Sequence, residues 1–187
     1  MSRALVPLAQ GCEELEAVTI IDLLRRAEVD VTTASLDAHT VVASRGTRLV
    51  PDTDLDVALT REYDLIALPG GLPGADHLAN DERLMSRIQS MDADGRWVCA
   101  ICAAPAALAR AGVLKGKRAT AYPGVLEAMN LSDVTITGAP VEVDGNVITG
   151  RGPGTAMDFA LALVEALRGP DVRKAVEEKL VRPSARE

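Results

Sequence analysis

A chain of 187 residues, 48% hydrophobic and 25% charged, is long enough to bury one substantial core, and this composition excludes a disordered or collagenous chain. An aromatic share of 2% makes the core aliphatic and leaves no stacking platform for single-stranded nucleic acid. With 20 basic against 27 acidic residues, the net charge of −7 repels phosphate backbones and argues against a specific nucleic-acid partner.

No apolar run approaches the ~18 residues of a membrane-spanning helix, so no membrane association is expected. The segment Met1 to Ala9 mimics the start of a signal peptide, but Pro7 and the carboxylates Glu13, Glu14 and Glu16 follow too soon, and it is assigned to the folded domain. Ala4 to Leu8 reads as a buried strand, and Glu14 to Arg26 as a helix with Leu15, Val18, Ile21 and Leu24 at helical spacing. Further strands are expected at Val29 to Ser35, as a short pair around Val41 and Leu49, and at Tyr63 to Leu68, which ends in a tight turn at Pro69-Gly70-Gly71. Asp81 caps a helix running to Met91, and Gly95 leads into the strand Trp97 to Ile101. Cys102 to Ala109 then carries small helix-forming residues with Pro105 in the first turn, which places Cys102 where a strand becomes a helix. Val141 to Val143 and Asn146 to Thr149 flank Asp144-Gly145 as a hairpin, and Thr155 to Leu167 and Asp171 to Leu180 are closing helices separated by Gly169-Pro170. The alternation, without repeats or linkers, predicts a single α/β domain over residues 1–187.

In such a sheet, ligands bind beyond the carboxyl ends of the strands, where the loops carrying Glu13 to Glu16, Pro69 to Gly71 and Cys102 converge. A cysteine at a helix N-terminus can titrate at roughly 3.5 to 7.5 and act as a thiolate nucleophile; the plainer alternative is a small buried hydrophobe. Glu16 is either favourable charge at a helix start or an inward-facing acid kept protonated by burial. Gly71 and Ala103 either offer backbone N–H groups to an oxyanion or belong to ordinary turns. Cys99 and Cys102 spell C-x-x-C, but Cys99 falls inside a predicted strand, which argues against dithiol redox chemistry. Three cysteines in a chain of this size point to a reducing cytoplasm, and His39 and His77 lack ligand spacing with them, so no metal is expected.

These residues resemble the ThiJ/PfpI superfamily, in the branch of DJ-one and YajL. The resemblance is carried by Arg3-Ala4-Leu5-Val6, Gly11-Cys12-Glu13-Glu14-Leu15-Glu16, Leu23-Leu24-Arg25-Arg26-Ala27, Leu68-Pro69-Gly70-Gly71, Ala100-Ile101-Cys102-Ala103-Ala104-Pro105 and Arg151-Gly152-Pro153-Gly154-Thr155, and it spans nearly the whole chain. It implies a flavodoxin-like three-layer α/β/α sandwich with a mostly parallel sheet, a nucleophile elbow at Cys102 partnered by Glu16, and a homodimer. The implied activity is that of a cofactor-free glyoxalase or deglycase acting on methylglyoxal-type dicarbonyls or early glycation adducts, or else a redox sensor or chaperone whose cysteine is oxidised to sulfinate. Arg26 and Arg45 match basic residues near the family's site and dimer contact, although solvated surface arginine is an equal reading. Pro153 belongs to the last of the matching motifs. Two departures matter: Tyr122 stands where the animal protein has a histidine near its cysteine, and Ala103 replaces the histidine that follows the cysteine in peptidase members. A phosphosugar or thiamine-precursor binding role is a minor third reading.

Overall fold

All of strand β1 (Arg3–Leu8) except Arg3 is buried, as a strand covered on both faces by helices requires. The computed structural model, which describes residues 1–37 and 39–182, pairs β1 in parallel with β2 (Asp30–Ser35) on one side and β6 (Leu65–Leu68) on the other. Helix α1 (Glu14–Arg26) makes the crossover between β1 and β2. Between β2 and β6 lie a small antiparallel pair, β3 (Val41–Val42) and β4 (Arg48–Leu49), then β5 (Thr53–Asp54) and the single turn α2 (Leu55–Ala58). After β6 come α3 (Gly74–Asn80), α4 (Glu82–Ala93), β7 (Trp97–Ile101), α5 (Pro105–Arg110), the parallel pair β8 (Arg118–Ala119) and β9 (Thr135–Ile136), β10 (Val141–Asp144), β11 (Val147–Gly150), α6 (Ala156–Arg168) and α7 (Pro170–Lys179).

The central sheet runs β10-β11-β7-β6-β1-β2-β5, parallel except for β10. Alternation along the strands divides its side chains between two cores. Val6 and Leu8 of β1 join Ile20 and Leu24 of α1 and Phe159 and Val164 of α6 on one face. Leu5 of β1 and Ile66 and Leu68 of β6 join Leu78, Leu84 and Leu108 of α3, α4 and α5 on the other.

Several local expectations stand. Val41 pairs with Leu49, Asp81 caps α4 by accepting from the N–H groups of Arg83 and Leu84, and Gly169 ends α6 at φ +84°. The hairpin is shifted by one residue: Asp144 is still paired, with Val147, and the turn is Gly145-Asn146. Glycine at φ +61° in the first central position suits a type II′ turn. Tyr63 is not in the strand; it is buried below it, with its hydroxyl donating to Ala58 O at 3.0 Å. The helix after Ile101 begins at Pro105 instead of at Cys102.

Candidate active site

Cys102 follows the last residue of β7 and adopts φ +64°, a left-handed conformation that non-glycine residues seldom hold. Its backbone is fixed at both ends. Its N–H donates to Gly150 O at 3.0 Å, and its carbonyl accepts from Tyr122 N–H at 2.9 Å. The side chain, 8% exposed, is thereby turned toward the ends of β1 and β6.

The three carboxylates at the start of α1 have three different fates. Glu13 caps the helix, its Oε2 accepting from Glu16 N–H at 2.8 Å. Glu14 binds the turn at residues 43–47. Glu16 is fully buried, and its Oε2 accepts from Gly70 N–H at 2.8 Å. Burial pushes the Glu16 carboxyl up from 4.5 to about 7, against the opposing pull of the Gly70 amide and the Cys102 side chain. Glu16 Oε1 is buried with no fixed hydrogen-bond partner among the described residues. A bare carboxylate oxygen in that position costs ~1–3 kcal/mol, which a proton shared with the neighbouring sulfur removes.

Cys102 is raised as well, first by burial and then by the negative charge of Glu16 and the interaction with its carboxylate. The backbone N–H groups of Gly71 and Ala103 pull the thiol the other way, because both are directed at the sulfur. This corrects the expectation of a thiol lowered by a helix dipole. Helix α5 is six residues long and starts three residues beyond Cys102, too short and too late to outweigh burial. Two buried acids in contact titrate as one unit that retains a proton, so the thiolate forms when that proton sits on Glu16.

The glycines at the end of β6 are sterically required. A Cβ on Gly70 would lie 2.7 Å from Cys102 Cβ and 2.8 Å from Glu16 Oε2. Gly71 has φ +86°, and a Cβ there would lie 2.4 Å from Glu13 N. The absence of side chains lets the carboxyl reach the sulfur.

A cleft of about 400 Å³ opens over Cys102, lined by Glu13, Ser44, Arg45, Gly71, Ala103 and Tyr122, with Leu72, Val125 and Pro153 completing it. Of the predicted residues, Cys102, Gly71, Ala103, Arg45, Tyr122 and Pro153 meet there, with Glu16 directly behind the sulfur. Arg26 does not join them. It lies ten residues along α1 from Glu16, about 15 Å by helix rise, paired with Asp22 at 2.7 Å and bordering a separate cleft with Arg168 and Lys179. Tyr122 is half-exposed on the rim, and neither His39 nor His77 lines the cleft. Ser44, Leu72 and Val125 are wall residues that sequence reasoning did not single out, whereas Glu13 lies in the acidic loop expected at the site. Cys12 and Cys99 are fully buried and do not line the cleft, so neither shares the setting of Cys102. A larger apolar groove of about 540 Å³ beneath β10, β11 and α6 contains no nucleophile. Among the described residues, no three metal-ligating side chains converge, and no helix is long and apolar enough to cross a membrane.

The sequence matches the family model described as "DJ-1/PfpI family" over residues 2–166. Protein DJ-1 homolog A of Arabidopsis thaliana is 43% identical over 183 residues, covering 96% of this chain and 47% of that protein, so the chain spans about half the length of that relative. Glutathione-independent glyoxalase DJR-1.2 of Caenorhabditis elegans is 33% identical over 162 residues, covering 87% of this chain and 86% of that protein. The crystal structure of Drosophila melanogaster DJ-1beta superposes with a TM-score of 0.93 at 38% identity, covering 98% of this chain and all of that one, which makes the sandwich flavodoxin-like.

Proposed function

Because the chain belongs to the DJ-1/PfpI family, we propose that it is a cysteine-dependent, cofactor-free glyoxalase or deglycase of 2-oxoaldehydes such as methylglyoxal or of early glycation adducts. One observation carries this reading: a buried Glu16, with its carboxyl raised to about 7, shares a site with Cys102 and two backbone amides aimed at the sulfur. An acid poised near neutral pH suits proton transfer in both directions.

With the shared proton on Glu16, the Cys102 sulfur adds to the aldehyde carbon, forming a C–S bond, and the carbonyl oxygen takes the proton from Glu16 to give a hemithioacetal. Charge developing on that oxygen is stabilised by the N–H groups of Gly71 and Ala103. The Glu16 carboxylate then removes the hydrogen on the sulfur-bearing carbon as a proton and returns it to the adjacent carbon. As the hydroxyl proton of the hemithioacetal passes to the neighbouring carbonyl oxygen, the first carbon is oxidised to a thioester and the second reduced to an alcohol, both changes being internal to the substrate. Water cleaves the thioester, releasing lactate and the Cys102 thiol. In an early glycation adduct the former aldehyde carbon is a hemiaminal, so the Cys102 sulfur would displace the amine there, the C–N bond breaking and the amine leaving with the Glu16 proton, to give the same hemithioacetal.

The test is conversion of methylglyoxal to lactate by the purified protein. Loss of turnover in both Cys102→Ser and Glu16→Ala is the expected result, and undetectable turnover by the wild type rejects the enzyme. A redox-sensor reading rests on the unpartnered Glu16 Oε1 of a carboxyl that interacts with Cys102, since a protonated carboxyl there can donate to a sulfinate oxygen. It predicts that peroxide adds two oxygens to Cys102 by mass spectrometry, with or without turnover. A cytoplasmic homodimer belongs to the same proposal. Exposed Leu15 and Val18 on α1 offer such a dimer an apolar face, and Arg26 would act only across that contact. A monomer in sedimentation would remove Arg26 from any site.

A further inference from the structure

Glu14 is the carboxylate at the start of α1 that the chemistry above leaves unused. It accepts hydrogen bonds from Ser44 Oγ at 3.1 Å, from Arg45 N–H at 3.0 and 3.1 Å to its two oxygens, and from Thr47 N–H at 3.4 Å. The turn it grips is already closed on itself, with Ala43 N–H donating to Thr47 O and Gly46 N–H to Ala43 O, and Ser44 N–H ties it to Cys12 O at 2.8 Å. Desolvation works against the Glu14 charge, but the amides of Glu14 and Arg45 and the bonds from Thr47 and Ser44 outweigh it and hold the carboxyl at about 2. The clamp is therefore closed at every pH at which the protein would operate.

The clamped turn supplies two wall residues of the Cys102 cleft, Ser44 and Arg45. The Arg45 guanidinium makes no ion pair or hydrogen bond among the described residues, and the acidic residue of the wall is Glu13, whose Oε2 caps α1. We propose that Glu14 is a positioning residue that fixes Arg45 at the mouth of the cleft, so that the site favours electrophiles carrying an anionic group. The proposal deepens the functional reading by naming the substrate class, 2-oxoaldehydes that bear a carboxylate, and it rests on that reading only in taking Cys102 as the reacting atom.

The test does not require turnover. Iodoacetate and iodoacetamide alkylate the same thiolate, each forming an S–C bond and expelling iodide, and they differ in charge. The ratio of their rates at Cys102 therefore cancels the thiolate fraction and reports the potential at the mouth. A solvated cation about 7 Å from the incoming carboxylate is worth about a three-fold rate difference. Arg45→Gln is expected to lower the iodoacetate-to-iodoacetamide ratio about three-fold, Glu14→Gln to lower it similarly, and the double variant to show no further loss. In about 1 M salt, where the screening length is about 3 Å, the wild-type ratio should fall to that of the variants.

The sign is decisive, because removing the negative charge of Glu14 would raise the ratio if long-range electrostatics alone operated, whereas loss of positioning lowers it. An unchanged or raised ratio in Glu14→Gln overturns the proposal, as does an unchanged ratio in Arg45→Gln. Ser44→Ala keeps the Glu14 charge and removes one bond of the clamp. It is expected to give a smaller fall in the ratio, and should Glu14→Gln fold poorly, an unchanged ratio in Ser44→Ala overturns the proposal. Failure of methylglyoxal turnover with an intact ratio would reject the enzyme and leave the clamp standing; the reverse outcome would do the opposite.

Discussion

Replacing Glu16 by glutamine keeps the shape of the side chain and an acceptor for Gly70 N–H while removing the only proton the side chain can lose. In the wild type the folded carboxyl is raised to about 7 from an ordinary 4.5. Below 4.5 both folded and unfolded chains hold the proton, and the full benefit of burying a neutral acid is present. Between 4.5 and about 7 the unfolded chain releases its proton and the folded chain keeps it, so stability falls as pH rises through that window and levels off above it. At about 1.4 kcal/mol per pKa unit, the loss is on the order of 3 kcal/mol. Glu16→Gln should match the wild type most closely in acid and exceed its stability by an amount approaching that figure near pH 8. Urea unfolding followed by circular dichroism from about pH 4.5 to about pH 8, with thiols kept reduced, measures the difference, expected as a midpoint about 1 M or more higher at the alkaline end. Titrating groups that do not interact with Glu16 cancel in the comparison. A stability difference constant across the range would refute the claim that Glu16 is buried as an acid.

The same variant should lower the pH midpoint of Cys102 alkylation, because two of the causes that raise the thiol are the charge of Glu16 and the interaction with its carboxylate; an unmoved midpoint would mean the two groups do not share a proton. Gly70→Ala adds a methyl 2.7 Å from Cys102 Cβ and 2.9 Å from Ile101 O, and should cost about 2–3 kcal/mol and slow Cys102 alkylation. A melting temperature within a degree or so of the wild type would contradict it. Asp81→Ala removes the two N-terminal bonds of α4 and the Arg83 ion pair, for an expected loss of about 1–2 kcal/mol in denaturant titration. Peptide mapping after brief iodoacetamide treatment of the native protein should find label on Cys102 alone, since Cys12 and Cys99 are fully buried; label on either would show the core opening more readily than its packing allows.

Periodicity made the long elements legible. It identified β1, α1, β7, α6 and the pairing of Val41 with Leu49, because each carries its own pattern of apolar residues or turn residues. Helix α3 carries no such signal, because it is short and opens on Pro73-Gly74, which reads as loop. The glycine is there because a Cβ would meet Cys12 N at 2.5 Å, a constraint imposed by a segment some sixty residues away in the chain. The acidic run at Glu13 to Glu16 could be seen to hold one inward-facing residue, yet only the helical phase, about 100° per residue, separates the buried Glu16 from the clamping Glu14. The left-handed backbone at Cys102 is set by hydrogen bonds to Gly150 and Tyr122, which no local signal encodes. Only the resemblance, with the homodimer it implies, points to Arg26, and within one chain the length of α1 separates it from the sulfur.

Four consecutive residues, Glu13 to Glu16, seal the end of a helix, secure a loop and supply an acid, each in a different direction. That stretch has no slack: inserting or deleting one residue would rotate every following side chain by a quarter-turn or more and undo all three tasks together. Anyone transplanting this chemistry to another α/β scaffold would therefore have to move residues 11–16 together with the loop at 43–47 and the glycines at 70 and 71 as one block, whereas outlying stretches such as 130–134 should tolerate changes in length.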